Sequence, residues 1–391
     1  MSFKPLFARA LSAAPDRLHF AAHSHHLWPD ASFEAQQQAW LDANRHADRK
    51  WELIFGDIVP ESRAHVAREL NLPDPSSVVF APNTHDFLVR LFSGFERAPV
   101  RILSTDGEFH TFRRQSQRWE EAGQAVVSRI PLDPFDTFAD RFMQAARAGG
   151  HDWIVVSQVF FRTGQGFDRI GELADLARPE GPWVLIDGYH GFMAQPTDLS
   201  AVADRVFYTS GGYKYAMAGE GACFLHAPPG FCARPVSTGW FAEFGDLTGP
   251  PGGVGYAADA GRLWGATFDP SALYRFNAVR RMLDAQGLTT AAVSAHAHGL
   301  MRLFQGAVRA GAAGRLSEAE LINPLTGDVP NDHGRARFLA FRHPDAKMWQ
   351  AALQDADVIT DVRDDVIRFG FGLYQDAGDV ERLIQVCVRA F

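Results

Sequence analysis

Two side chains able to do covalent and proton chemistry stand just beyond apolar runs. Val184-Leu185-Ile186 leads into Asp187, Gly188, Tyr189 and His190, and Val206-Phe207-Tyr208 leads through a Gly-rich turn into Tyr213 and Lys214. An acid directly after a buried strand lies at the carboxyl end of an open α/β sheet, where such folds bind ligands. Asp187 would serve equally as a cap for the next helix or turn. A lysine amine becomes a nucleophile only when it is desolvated and deprotonated, and the alternative is an ordinary solvated lysine. Only Lys4, Lys50, Lys214 and Lys347 occur in the chain, so a lysine set among glycines is conspicuous.

An acid after one strand and a lysine after the next is the arrangement that pyridoxal phosphate requires. The carboxylate keeps the pyridine nitrogen protonated, and the lysine carries the aldehyde as an imine. A phosphate holder is also needed. Val78-Val79-Phe80-Ala81-Pro82-Asn83-Thr84 reads as a strand entering a helix over 85–95, whose free N–H groups and dipole favour an anion. Thr84 would act equally well as a simple N-cap.

These residues need a scaffold, and the hydrophobic pattern supplies one. Short apolar runs at 78–81, 100–104, 125–130, 153–156, 184–186, 206–208 and 222–225 alternate with helical patterns such as 137–148 and 170–178. That is the signature of buried strands in a mostly parallel sheet. Helical patterns at 32–50 and 61–70 precede it. A Gly- and Pro-laden stretch at 228–261 reads as a functional loop. Helices follow at 270–286 and 289–310, then strand, helix, strand, strand and helix at 337–341, 346–354, 358–362, 366–369 and 379–388. The expected architecture is an N-terminal helical segment over 1–75 that contributes to the small domain and the substrate entrance, a large α/β domain over 76–270, and linking helices with a small α+β domain over 271–391.

Composition narrows the partners. The 391 residues include 38 Lys+Arg against 46 Asp+Glu, a formal charge of −8, with 46% hydrophobic and 21% charged residues. This supports a large core and argues against disorder and against nucleic acid as a partner. Three cysteines, Cys223, Cys232 and Cys387, are too few for a disulfide framework or a four-thiolate zinc site. No apolar run resembles a signal peptide or a membrane span, so a cytoplasmic location without membrane association is expected.

The run Val159-Phe160-Phe161-Arg162-Thr163-Gly164-Gln165, followed by Asp187 with His190, Tyr213-Lys214-Tyr215, Gly239-Trp240-Phe241, Thr360-Asp361-Val362-Arg363, Ile367-Arg368 and Leu373-Tyr374, resembles kynureninase. More broadly it resembles the class V aminotransferase group of fold-type I pyridoxal phosphate enzymes. The resemblance covers roughly residues 75 to 391. It implies a seven-stranded, mostly parallel sheet flanked by helices, and a homodimer with active sites between protomers. It makes Lys214 the Schiff-base lysine, Asp187 the partner of the pyridine nitrogen and His190 a neighbour of the ring's phenolic oxygen. Thr84 and Tyr213 would hold the phosphate, Asn83 would also bind the cofactor, Phe109 would stack on the ring, and Trp240 and Thr267 would lie near the cofactor or the neighbouring subunit. Arg368 would clamp the substrate carboxylate, with His25 and Phe241 also facing substrate.

The implied reaction is hydrolytic Cβ–Cγ cleavage of kynurenine or a related L-amino acid, with transamination as the alternative and a non-catalytic binding protein as a remoter one. Several substrate-facing positions depart from the kynureninase pattern. Ala242-Glu243 follows Trp240-Phe241, Phe369-Gly370-Phe371-Gly372 replaces the expected prolines, and His23-Ser24-His25-His26 stands where the family has Asn-Ser-Leu-Gly. The clustered histidines lack ligand spacing for a metal, which makes a metal hydrolase a poor fit. His296 and His298 read as helix-surface residues. Cys387, inside the last helix, reads as a packed apolar residue and not the nucleophile of a cysteine desulfurase.

Overall fold

The computed structural model describes residues 2–246, 253–326 and 336–391. After N-terminal turns, strand β1 (Leu18–His19) leads to helix Asp30–His46 and then to a run ending in helix Val59–Leu70. The large sheet follows as β2 (Val78–Ala81), β3 (Val100–Thr105), β4 (Ala125–Ile130), β5 (Trp153–Ser157), β6 (Trp183–Asp187), β7 (Val206–Gly211) and β8 (Cys223–His226), in the spatial order β2-β8-β7-β6-β5-β3-β4. The pairs β3–β4, β3–β5, β5–β6 and β6–β7 are parallel, and β8 is antiparallel to both of its neighbours.

The Val- and Ile-rich runs are strands because the sheet is covered: β5 is buried at every position, and so is β7. Continuous burial requires apolar residues at consecutive positions and not at alternate ones. Polarity begins where these strands end. Ser157, Asp187 and Thr209 lie side by side in register on β5, β6 and β7, so the parallel topology gathers their side chains at one rim. Between β7 and β8 the chain makes a compact excursion that carries Tyr213 and Lys214. It is closed by Gly212 N–H donating to the Ala222 carbonyl at 2.9 Å and Met217 N–H to the Lys214 carbonyl at 3.0 Å.

The C-terminal part holds β9 (Glu320–Leu321), β10 (Phe338–Arg342), β11 (Val358–Ile359), β12 (Asp361–Arg363) and β13 (Val366–Gly370). Four of these form a sheet in the order β12-β13-β10-β9, whereas β11 pairs in parallel with β1. The run expected as one strand over 358–362 is therefore two strands with different partners. A separate core of Phe304, Leu339, Phe341, Trp349 and Phe369 fills this part, joined by Leu18 and Phe20 from the N-terminus. Helix Ser271–Ala285 instead buries Leu273, Phe276 and Val279 in the core of the large sheet.

The Gly- and Pro-rich stretch at 228–261 is organised around Arg262, just beyond it. Its buried guanidinium donates to the carbonyls of Pro228 at 2.9 Å and Phe231 at 2.8 Å; residues 247–252 of the stretch lie outside the described residues. No helix among the described residues is long and apolar enough to cross a membrane.

Gly370, at the end of β13, ties the N-terminal segment to the small sheet. It bridges Ala21, and an added Cβ would meet the amide nitrogens of His23 at 2.9 Å and Ala22 at 3.0 Å as well as the His23 ring. Overpacking of this kind costs about 1–3 kcal/mol. Gly370→Ala is therefore expected to lower stability by that amount in a urea melt, and an unchanged midpoint would show that the junction is loose.

Candidate active site

A cavity of about 450 Å3 opens at the carboxyl ends of the central strands. Asp187 reaches it from the end of β6, Lys214 and Tyr213 from the β7–β8 excursion, and Arg363 and Arg368 from β12 and β13. Asn83 and Thr84 enter from the start of helix Thr84–Phe92. Asn83 is the N-cap, accepting from Asp86 N–H at 3.1 Å. Thr84 is the first helical residue and not the cap, and its hydroxyl lies 3.5 Å from Cys223 Sγ. The helix therefore offers its amino terminus to the cavity.

Lys214 Nζ is hydrogen-bonded to His190 Nε2 and sits 5.7 Å from the centre of the Phe109 ring and 5.6 Å from that of Tyr189. Burial, reinforced by the positive charge of Arg368 and opposed by Asp187, lowers the Lys214 pKa from 10.5 to about 7. Burial and then the neighbouring Lys214 charge hold the His190 pKa well below its ordinary value, so its imidazole is neutral. Its Nδ1 is buried without a hydrogen-bond partner. Asp187 Oδ1 accepts from Tyr189 N–H at 2.9 Å, and burial raises the pKa of this carboxyl.

At the other end, Asp361 lies directly opposite Arg368 across the β12–β13 ladder and forms an ion pair with it. Arg363 Nη1 holds the second oxygen of Asp361 at 2.6 Å. His23 Nε2 stands 3.8 Å from the same carboxylate, its ring 4.5 Å from the Phe338 ring. Arg368 is 2% exposed, and desolvation lowers its pKa to about 10, leaving it charged at neutral pH. The Nε atoms of Arg363 and Arg368 are buried with no hydrogen-bond partner. Orphaned cationic donors on a cavity wall are costly unless a ligand acceptor meets them.

The structure gathers Asn83, Thr84, Phe109, Asp187, His190, Tyr213, Lys214 and Arg368 on this one cavity. Four other expected residues lie off it. Phe241 is buried among Trp51, Phe55 and Phe268, where its ring packs against three other aromatic side chains. Trp240 Nε1 donates to Thr267 Oγ1 at 3.3 Å, away from the cavity of their own chain. His25 is exposed and meets Tyr213 edge-on at 5.6 Å, while His23 and Ser24 line the cavity in its place.

Sequence reasoning also passed over Arg363 and Glu108. Arg363 is placed by the β12–β13 pairing, and Glu108 by its hydrogen bonds to Thr105 and Ser157 in the loop after β3. Contrary to expectation, His298 is buried, and His296 Nε2 bonds the Gln375 carbonyl at 2.9 Å. Among the described residues no cluster of three or more His, Cys, Asp or Glu could hold a metal ion.

Residues 293–387 match the family model of the kynureninase C-terminal domain. The matched residues supply Arg363 and Arg368 to the cavity, together with Asp361, which pairs with both. No curated protein matches the sequence. The whole chain shares its fold with solved structures of low identity. One is a mutant of C-DES with glycine covalently linked to its PLP cofactor (16% identity, 99% of each chain, TM-score 0.78). Another is the cystine C–S lyase C-DES with its product cysteine persulfide (16% identity, 97% of this chain and 99% of that one, TM-score 0.79). A third is the cysteine desulfurase CsdA from Escherichia coli (18% identity, 99% and 97%, TM-score 0.77). The α/β fold with a mostly parallel central sheet is thus that of these solved structures.

The lowered pKa leaves a large share of the Lys214 amine deprotonated near neutrality. Its modification by an amine-directed reagent, followed by peptide mass spectrometry, is expected to rise with pH through a midpoint near 7. A midpoint near about pH 10, the ordinary lysine value, would contradict the site electrostatics.

Proposed function

We propose that the protein is a pyridoxal phosphate-dependent enzyme acting on an L-amino acid, with kynureninase-like hydrolytic Cβ–Cγ cleavage as its reaction. The observation that carries this reading is a buried lysine amine, its pKa lowered by desolvation, that shares one cavity with a carboxylate at the neighbouring strand end. The residues fit the cofactor. Lys214 can form the covalent link, Asp187 can hold a proton on the ring nitrogen, and the unpartnered Nδ1 of His190 marks a polar wall awaiting a ligand. Asn83 and Thr84 stand at a helix amino terminus suited to the phosphate, and Tyr213 lines the same cavity. Bound there, the cofactor supplies an electron sink for negative charge developing at the substrate α-carbon.

The chain's own groups do the rest. Lys214 Nζ, once an amino acid has taken its place, is a base of suitable strength for the α-proton. Arg368 receives the α-carboxylate, with Asp361 occupying its fork until then. Val159 and Phe161 give the cavity apolar walls that suit an aromatic or alkyl acyl side chain. Cys223, Cys232 and Cys387 are all buried, their thiol pKa values pushed up to about 12 by burial, and none lines the cavity. No cysteine of this chain is therefore placed to carry sulfur. The same reading makes the protein a homodimer, in which Trp240 and Thr267 would serve a neighbouring protomer's site. It also leaves the chain in the cytoplasm.

Pyridoxal phosphate added to the purified protein should give a visible absorbance band that Lys214→Ala lacks. Kynurenine-type substrates should then release alanine and a carboxylic acid. A keto acid formed from the substrate instead would assign transamination, and a band that is unchanged in Lys214→Ala would remove the lysine from its role. Charged hydrogen bonds contribute about 1.5–3 kcal/mol, a factor of about ten to a hundred. Arg368→Gln is therefore expected to raise KM by that factor with cofactor content unchanged; loss of cofactor with KM intact would overturn the assignment of Arg368.

A further inference from the structure

A second buried acid stands beside Asp187, and nothing in the chemistry above uses it. Glu108 is 3% exposed and lines the same cavity. Its Oε1 accepts from the Thr105 hydroxyl at 2.8 Å and from Ser157 N–H at 3.2 Å, and its Oε2 accepts from the Ser157 hydroxyl at 2.5 Å. Ser157 is the residue that pairs with Asp187 across the β5–β6 ladder, so one strand end links the two carboxyls. Three donors aimed at one carboxyl form a built site for a negative charge. Such a site so close to another acid is costly unless a cation shares the space.

We propose that Glu108 is a second acid for the ring-nitrogen end of the cofactor, a positioning residue that acts through Ser157 and Asp187 to retain the ring proton. This role rests on the cofactor assignment above. Burial, with the Asp187 charge adding and the Ser157 and Thr105 hydrogen bonds opposing, raises the Glu108 pKa to about 7. Below that pH Glu108 is neutral, and above it Glu108 adds a negative charge that favours a protonated ring nitrogen. The other charged groups on the cavity are Lys214 from the β7–β8 excursion and Arg363 and Arg368 from β12 and β13; His23 and His190 are held neutral, and the His85 imidazole and the Tyr189 and Tyr213 phenols line it as well. Asp106, two residues before Glu108, is turned to Leu132 N–H, which it accepts at 2.9 Å.

The test is the affinity of apo-protein for pyridoxal phosphate, read by quenching of tryptophan fluorescence at about pH 6 and about pH 8.5, either side of the Glu108 value. Glu108→Gln keeps the shape and removes the charge. It is expected to weaken binding about fivefold at the higher pH, the factor for one screened charge pair, and less than about twofold at the lower. Ser157→Ala keeps Glu108 but removes a hydroxyl that stabilises its anion, and should move the separation from wild type to higher pH. Equal affinity of Glu108→Gln and wild type at both pH values, or an equal loss at both, would overturn the proposal, the second outcome marking Glu108 as a hydrogen-bond frame only. Failure of the wild-type protein to bind pyridoxal phosphate at either pH would overturn the cofactor assignment together with it.

Discussion

Desolvation at the carboxyl rim of the central strands is the constraint on which the rest of the structure depends. Parallel strands buried on both faces must be apolar along their length, and they can turn polar only where they end. β5 and β6 end opposite Thr209 of β7, so Ser157, Asp187 and Thr209 share an edge, and the excursion after β7 folds Lys214 back over it. The same burial that makes the strands depresses the lysine and lifts the acids. Fold and reactivity are consequences of one exclusion of water.

The charges divide between two ends of the cavity. Acids collect at the strand ends, where Asp187 and Glu108 stand, and guanidinium groups collect on the small sheet, where Arg363 and Arg368 share Asp361. Lys214 and His190 lie on the same cavity. A ligand with a cationic ring nitrogen and an anionic carboxylate matches that polarity. The small C-terminal sheet contributes the cationic end and the large sheet the acidic end, so neither part alone makes the site.

The large sheet was readable because its strands are buried on both faces and leave uninterrupted apolar runs; Val78–Ala81 and Ala125–Ile130 emerge with the bounds read from the sequence. The small sheet was less so. Thr360 separates β11 from β12, and the change of partner there depends on Leu18–His19, more than three hundred residues away in the chain. Asp187 and Lys214 stand out because strand ends are recognisable locally. His23 could not be told from His25 without knowing that Ala21 bridges Gly370, and Arg363 needed the β12–β13 register. Phe241 misled because an aromatic residue in a substrate motif packs equally well into a core cluster.

The central claim is that one amine and one acid of this cavity address opposite ends of the same cofactor. Reductive trapping measures the first half directly: protein loaded with pyridoxal phosphate, treated with borohydride and digested, is mapped by mass spectrometry. A phosphopyridoxyl group on the peptide carrying Lys214 and on no other is the predicted result. The same group distributed over Lys4, Lys50 and Lys347, or absent from Lys214, would contradict the account.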